Sequence, residues 1–334
     1  MATLTTTNVN VNWVKATSFP QYPWNAPSYG NKKFVAVTSD GTNSYSVYTE
    51  DGLTGTTAAM PATQSAVTWN FTAFGNGRFV AIGTKPNNTT QFCAYSTDNA
   101  ATWTAGGNLY NVNTYISLGF ASTRFIATAG TGYQWTSYSN DGVTWTAGGN
   151  LPTIVEAKGS AYGNGRYMII PDASNGVSGN VVYTDNEGAT WSQGGLLPGG
   201  SYPNIRYWRG LSYGRGKFVA ICSLGGLPAY SIDGGLTWQD GKIYGDDNSS
   251  LNLTSLTYGN GIFLAHSFNG STGMYSYDGI NWIKVNLASG GYGSVIYGNG
   301  RFVVFNGFNA PYNPAYILDN NLACAFTPTI SVIN

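Results

Sequence analysis

Short apolar runs such as Phe-Val-Ala-Val recur along the chain between turns rich in Gly, Asn and Asp, and no stretch carries a long helical period. One phrase returns throughout. It reads YGNKKFVAV from Tyr29, FGNGRFVAI from Phe74, FASTRFIAT from Phe120, YGNGRYMII from Tyr162, YGRGKFVAI from Tyr213, YGNGIFLAH from Tyr258 and YGNGRFVVF from Tyr297. The starts are 45, 46, 42, 51, 45 and 39 residues apart. In each copy an aromatic residue closes one strand, Asn-Gly supplies the two positive φ angles of a tight type I′ turn, and the apolar run begins a second strand. About twenty residues later in each copy comes a second hairpin phrase, at Tyr95, Tyr138, Tyr183, Tyr230 and Tyr275, with degenerate forms at Tyr48 and Tyr316. Its acidic side chain is suited to accept hydrogen bonds from the amides of its own turn.

Two hairpins per unit make four strands, and a four-stranded unit of this length repeated around an axis predicts a β-propeller. Seven copies predict an all-β, seven-bladed propeller that uses residues 1–334 as one domain, with residues 1–10 as a tether. The segment NWVKA at Asn12 resembles NWIKV at Asn281, an outer strand, so the N-terminal stretch is expected to complete the blade built by the C-terminal residues. The C-terminal ACAFTPTISVIN, with Cys324 where Trp stands in other copies, competes for the same edge.

Composition narrows the chemistry. Only 9% of the residues are charged, against about 25% in an ordinary domain, and 15 basic residues balance 15 acidic ones. The chain is too aromatic for a disordered one, has no basic excess to neutralise phosphates, and has no apolar stretch long enough for a membrane helix. No nucleic-acid partner and no membrane insertion are therefore expected. The N-terminus lacks the pattern of an export signal. Cys93, Cys222 and Cys324 are far apart and read as small buried apolar residues.

The second phrase resembles the Asp-box, or BNR repeat, of pattern S-x-D-x-G-x-T-W. Ser231, Asp233, Gly235, Thr237 and Trp238 match it fully, and Ser96, Asp98, Thr102 and Trp103 match with Ala100 in place of Gly. Asp51, Asp141, Asp278 and Asp319 occupy the acid position in the shorter or degenerate copies, and Asn186 occupies it in the fourth. The resemblance implies a turn-stabilising device on the outside of each blade, with Trp packed between sheets. Sialidases share such repeats, but their machinery of three arginines, a Tyr–Glu pair and an acid Asp is not found. The only Glu residues are Glu50, Glu156 and Glu187, and five of seven Arg belong to the repeated inner turn. The lone His266 stands where other copies have Val37, Ile82, Thr128 or Ile221 and reads as a core or channel residue. No triad, His-based metal site or cofactor is expected, and no catalytic residue is assigned. A glycosidase pair drawn from Asp172 or Glu156 with Asp40, Asp246 or Asp247 is the residual enzymatic alternative.

Symmetry turns equivalent positions into rings. Lys33, Arg78, Arg124, Arg166, Lys217 and Arg301 follow the inner turn, with Ile262 as the exception. Each is expected to pair with a nearby acid or carbonyl; the sharper alternative is a basic annulus for an anionic ligand. At the opposite mouth, Trp24, Trp69, Tyr115, Trp208 and Tyr292 stand five residues before the opening aromatic, and Tyr22, Tyr110, Tyr133, Tyr202 and Tyr207 lie in nearby loops. These rings are candidates for stacking on sugars, and packing between blades is the competing role. The neutral, Asn-, Thr-, Gly- and Tyr-rich composition and the repeat style resemble propeller regions of bacteriophage tail and fibre proteins. That resemblance implies a non-enzymatic virion protein, tail- or fibre-associated, that contacts a host-surface glycan or other virion proteins. A free carbohydrate-binding lectin is the alternative.

Overall fold

The computed structural model describes residues 9–10, 13–16, 18–38, 42–64, 66–85, 90–110, 115–130, 133–153, 157–171, 179–199, 206–223, 226–244, 251–267, 272–286, 292–308 and 316–318. Among them the strands form seven antiparallel sheets in sequence order, spanning 24–59, 68–105, 115–147, 157–196, 207–240, 253–286 and 292–318. In the first, Trp24–Gly30, Lys33–Thr38, Tyr45–Thr49 and Thr56–Ala59 lie side by side in chain order, and the others repeat this plan. The inner turn is built as the sequence predicts. Asn76 and Gly77 have φ of 47° and 74°, and the pairs at 31–32, 164–165, 215–216, 260–261 and 299–300 follow suit. The third copy differs: Ser122 and Thr123 are not among the positive-φ residues, and the Ala121 amide donates to the Arg124 carbonyl at 2.9 Å.

The first and second strands of each sheet carry the core. Phe34, Phe79, Phe125, Phe218, Phe263 and Phe302 are each at most 2% exposed, and each meets the aromatic residue across the turn with ring centroids 4.6–4.9 Å apart. Burying such a ring contributes about 2 kcal/mol, and the paired geometry adds roughly 1 kcal/mol. These clusters lie between sheets. Trp103 of the second sheet packs with Val35 and Val37 of the first, and its indole N–H donates to Ser46 Oγ at 2.7 Å. Trp282 of the sixth sheet packs with Val219 and Ile221 of the fifth in the same way.

Neighbouring sheets approach closest at the glycine that ends each innermost strand. A Cβ on Gly30 would lie 1.9 Å from the Phe74 ring of the second sheet, and one on Gly163 would lie 2.0 Å from the Tyr213 ring of the fifth. Gly75 meets Phe120, Gly214 meets Tyr258, Gly259 meets Tyr297, and Gly298 of the seventh sheet meets Tyr29 of the first. The turn asparagine adds a clasp. Asn76 donates to the carbonyls of Thr123 and Asn140 in the next sheet, both at 2.8 Å, and Asn299 donates to those of Lys32 and Glu50 in the first, both at 2.9 Å. The third sheet has neither the glycine nor the asparagine. There Glu187 of the fourth sheet reaches back to accept from the Thr123 amide at 2.8 Å and the Thr123 hydroxyl at 2.5 Å.

Both ends of the chain enter these sheets. Trp13–Lys15 pairs antiparallel with Tyr316–Leu318 as the outermost strand of the seventh sheet. Val9–Asn10, placed in a tether by the sequence reading, instead pairs in parallel with Val285–Asn286 of the sixth sheet, and Lys242–Tyr244 covers the remainder of that edge. The rest of the expected tether, residues 1–8, and the C-terminal residues from Asp319 onward lie outside the described residues.

The glycine contacts give a stability test. Gly30→Ala forces a methyl group into the Phe74 ring and should cost about 2–3 kcal/mol or more. Gly77→Ala meets no atom within 4 Å and should cost only the strain of its φ of 74°, about 1 kcal/mol. Denaturant midpoints of the two variants should fall in that order; equal losses would remove the close-approach explanation.

Candidate functional site

The repeats present two rims, one made of turns and one at the opposite mouth. On the turn rim every described copy of the second phrase is locked by its own side chains. The hydroxyls of Thr49, Ser96, Ser139, Ser231 and Ser276 donate to Asp51, Asp98, Asp141, Asp233 and Asp278 at 2.8–3.0 Å. Asp233 also accepts from the Leu236 and Thr237 amides at 3.0 Å each and from the Thr237 hydroxyl at 2.6 Å. Asn186 reproduces the device with an amide: its Oδ1 accepts from the Thr190 amide while its Nδ2 donates to the Thr190 hydroxyl, both at 2.8 Å. Burial pushes the Asp233 carboxyl up, but the hydrogen bonds from Thr237, Ser231 and Leu236 outweigh it and hold the group down at about 2. Asp51, Asp98, Asp141 and Asp278 are lowered by the same balance. A general acid needs the opposite shift. Asp319 lies outside the described residues.

The basic positions are tied to these turns. Lys33 meets Glu50 at 2.8 Å. Arg166 makes a two-pronged pair with Asp185 at 2.6 and 2.9 Å and donates to the Gly234 carbonyl of the next sheet at 2.6 Å. Arg124 donates to Asn140, while Arg78 and Arg301 reach the carbonyls of Asp141 and Asp51 in the following sheet. Lys33, Arg78, Arg124 and Arg166 also lie over the rings of Tyr48, Tyr95, Tyr138 and Tyr183. Exposed pairs of this kind contribute at most about 1 kcal/mol each, so their effect is to orient turns. Lys217 departs from the pattern, because Ile232 occupies the position held by Glu50, Asn140 or Asp185 elsewhere. Beside it, between the fourth and fifth sheets, an open cleft of about 510 Å³ is lined by Arg166, Asp185, Ile232 and Asp233. Its guanidinium and carboxylates are already engaged with one another and with turn atoms.

At the mouth, Trp24, Trp69, Tyr115 and Trp208 are buried, each at most 3% exposed. They are not stacking surfaces. Trp69 and Trp208 belong to the cores between sheets one and two and between sheets four and five, so the packing role applies to these positions. Tyr207 is half-buried with Arg209 over its ring. Tyr202 and the side chain of Tyr292 lie outside the described residues. The rings that face solvent are loop residues: Tyr110 is 51% exposed and Tyr133 is 38% exposed. Tyr133 stacks on Trp135, which the sequence did not single out, with centroids 4.9 Å apart.

Among the described residues no group of three or more His, Cys, Asp or Glu is placed to hold a metal ion. The glycosidase candidates Asp40, Glu156, Asp172, Asp246 and Asp247 all fall outside the described residues. Cys93 and Cys222 are buried free thiols, pushed up to about 12 by burial. His266 is 3% exposed, and its Nδ1 has no hydrogen-bond partner among the described residues.

No protein-family model matches the chain, and no curated protein matches it. Solved structures do. YCF48 bound to D1 peptide has a TM-score of 0.64 at 12% identity, over 93% of this chain and 97% of that one. Virginiamycin B lyase from Staphylococcus aureus has 0.69 at 8%, over 92% and 98%. The WD40 β-propeller domain of Doa1 has 0.63 at 14%, over 93% and 98%. This chain has a β-propeller fold. The three are an assembly with a peptide, a lyase and a WD40 domain, so the likeness carries the propeller and no activity.

Burial of His266 sets a pH window. Its pKa is lowered from 6.5 to about 4 by burial, so below pH 6.5 the unfolded chain binds a proton that the folded chain does not. Stability should fall by about 3 kcal/mol between pH 6.5 and 4 and then lose no more from this group. His266→Val should flatten that window while leaving the carboxylate-driven loss at lower pH. Denaturant midpoints against pH would show it, and an unchanged slope in the variant would exclude His266 as the cause.

Proposed function

We propose that the chain is a closed seven-bladed propeller and serves as a non-enzymatic bacteriophage virion protein, tail- or fibre-associated, that binds a host-surface glycan or other virion components. Closure is supported by contacts between the last sheet and the first. Tyr29 fills the hollow at Gly298, its hydroxyl donates to Asn299 Oδ1 at 2.6 Å, and Arg301 reaches the Asp51 carbonyl. The Ser/Thr-x-Asp turns, with Trp between sheets, support the Asp-box resemblance.

The observation that carries the functional reading is the division of labour between the rims. Most acids and bases on the turn rim are engaged with one another and with backbone, whereas at the mouth the rings of Tyr110 and Tyr133 present an uncharged aromatic surface to solvent. A neutral, aromatic and amide-rich surface suits recognition of a neutral ligand better than steering of a polyanion. The virion assignment rests on composition and repeat style.

Mass spectrometry of purified phage particles should find the protein at stoichiometric copy number, and its gene should lie among tail or head genes. Absence from particles, with glycan binding retained by the isolated protein, would replace the virion assignment by the lectin. Release of reducing sugar from host polysaccharide would overturn the non-enzymatic reading.

A further inference from the structure

The third strands break the sevenfold pattern in one respect. Three residues before the tyrosine of the outer turn, sheets one to three carry Tyr45, Phe92 and Trp135, whereas sheets four to six carry Asn180, Leu227 and Thr272. The strand pairing puts these residues at the same height: the Tyr45 amide donates to Thr38 Oγ1 at 3.3 Å, Phe92 lies opposite Gly83, and the Trp135 carbonyl accepts from the Ala129 amide. The later sheets form without an aromatic residue there, so the blade plan does not require one.

The three differ in what covers them. Tyr45 is packed by Tyr22, and Lys85 lies over the Phe92 ring. Trp135 instead backs a second ring that faces solvent. Tyr133 lies on it with centroids 4.9 Å apart and an interplanar angle of 26°, and Tyr133 remains 38% exposed. Tyr110, 51% exposed, is held alongside: its amide donates to Ser137 Oγ at 3.2 Å, and its carbonyl accepts from the Tyr115 hydroxyl at 2.5 Å. Exposed Asn108 precedes Tyr110 by two residues. Exposed Asn150 precedes Leu151, whose amide is bonded to the Gln134 carbonyl at 2.7 Å.

We propose that the Tyr133–Trp135 stack, with Tyr110 beside it, is a saccharide-binding platform for a neutral pyranose, a site that rests on the glycan-binding reading above. A pyranose has a face of C–H groups and a rim of hydroxyls. The electron-rich face of Tyr133 meets the C–H groups, and the amides of Asn108, Gln134 and Asn150 supply donors and acceptors for the hydroxyls. None of these side chains is charged, which selects a neutral sugar over a sialic or uronic acid. Trp135 holds Tyr133 in place before the ligand arrives, so little side-chain freedom is lost on binding.

The test uses the full chain on an array of neutral bacterial O-antigen and capsular oligosaccharides, followed by titration of the strongest binder with tryptophan fluorescence as readout. Tyr133→Ala should weaken binding roughly ten-fold, Tyr133→Phe should restore it, and Tyr110→Ala should weaken it independently. Thermal midpoints should stay at the wild-type value for Tyr133→Phe and Tyr110→Ala, while Tyr133→Ala loses only the contact with Trp135 and remains folded. If the wild type binds a glycan that Tyr133→Ala and Tyr110→Ala bind equally well, the platform is wrong and the glycan-binding reading stands. If the wild type binds none of the oligosaccharides, both fail.

Discussion

The glycine that ends an innermost strand leaves a hollow one methyl group deep, and the aromatic ring of the next sheet fills it. Six of these seats are present, the last between Gly298 and Tyr29. Everything else between sheets is set by that approach. It brings the turn asparagine within reach of two carbonyls in the following sheet, and it sets the Trp of one sheet against the Val and Ile of the sheet before it. The ring and the Phe it faces across the turn come from one hairpin, so the local turn and the long-range contact favour the same geometry. The third junction shows how far the rule bends. With Ala121 in place of glycine and no Asn-Gly turn, the two sheets are clasped from the other side, by Glu187 accepting from the Thr123 amide and hydroxyl.

The turn rim explains why so few charges suffice. Lys33, Arg78, Arg124, Arg166 and Arg301 are held by a neighbouring polar side chain, by a carbonyl of the next sheet or by a tyrosine face, and the aspartates of the outer turns by the amides of their own loops. Individually these interactions are weak. Collectively they fix a loop whose backbone would otherwise have several unpaired amides at a strained, positive-φ turn. The same arrangement removes those groups from chemistry: a carboxylate held low by three or four donors is a poor proton donor, and a guanidinium already bonded on both edges is a poor ligand clamp.

Much of this was legible in the chain. The spacing of YGNGRFV and YS-x-DG-x-TW phrases predicts the number of strands per unit, the type I′ turns and the pairing of bases with turn acids, because each is a local consequence of residue type. What the repeat hides is direction across the gap between sheets. A period of about 45 residues says that Trp24, Trp69, Tyr115 and Trp208 are equivalent, not that their rings point into the core. Equally, the glycine after each aromatic reads as part of a turn, and only the neighbouring sheet reveals that its missing side chain is what matters. Trp135 belongs to neither repeated phrase, so the repeat does not mark it. Its difference from Asn180, Leu227 and Thr272 becomes meaningful once the register shows that the four share a height.

The pairing of Trp13–Lys15 with Tyr316–Leu318, together with that of Val9–Asn10 with Val285–Asn286, bears on how the molecule is made. During synthesis residues 9–15 have no partner in these sheets until residues 285–318 have followed them. The early sheets can stack as they emerge, but the sixth and seventh keep an open edge until residues 9–15 reach them. Damage at residues 9–15 is therefore felt at the far end of the sequence, and a chain cut short near its C-terminus leaves its own beginning unpaired. Completion of the last two sheets is therefore a late step that draws on residues 9–15 as well as on residues 285–318.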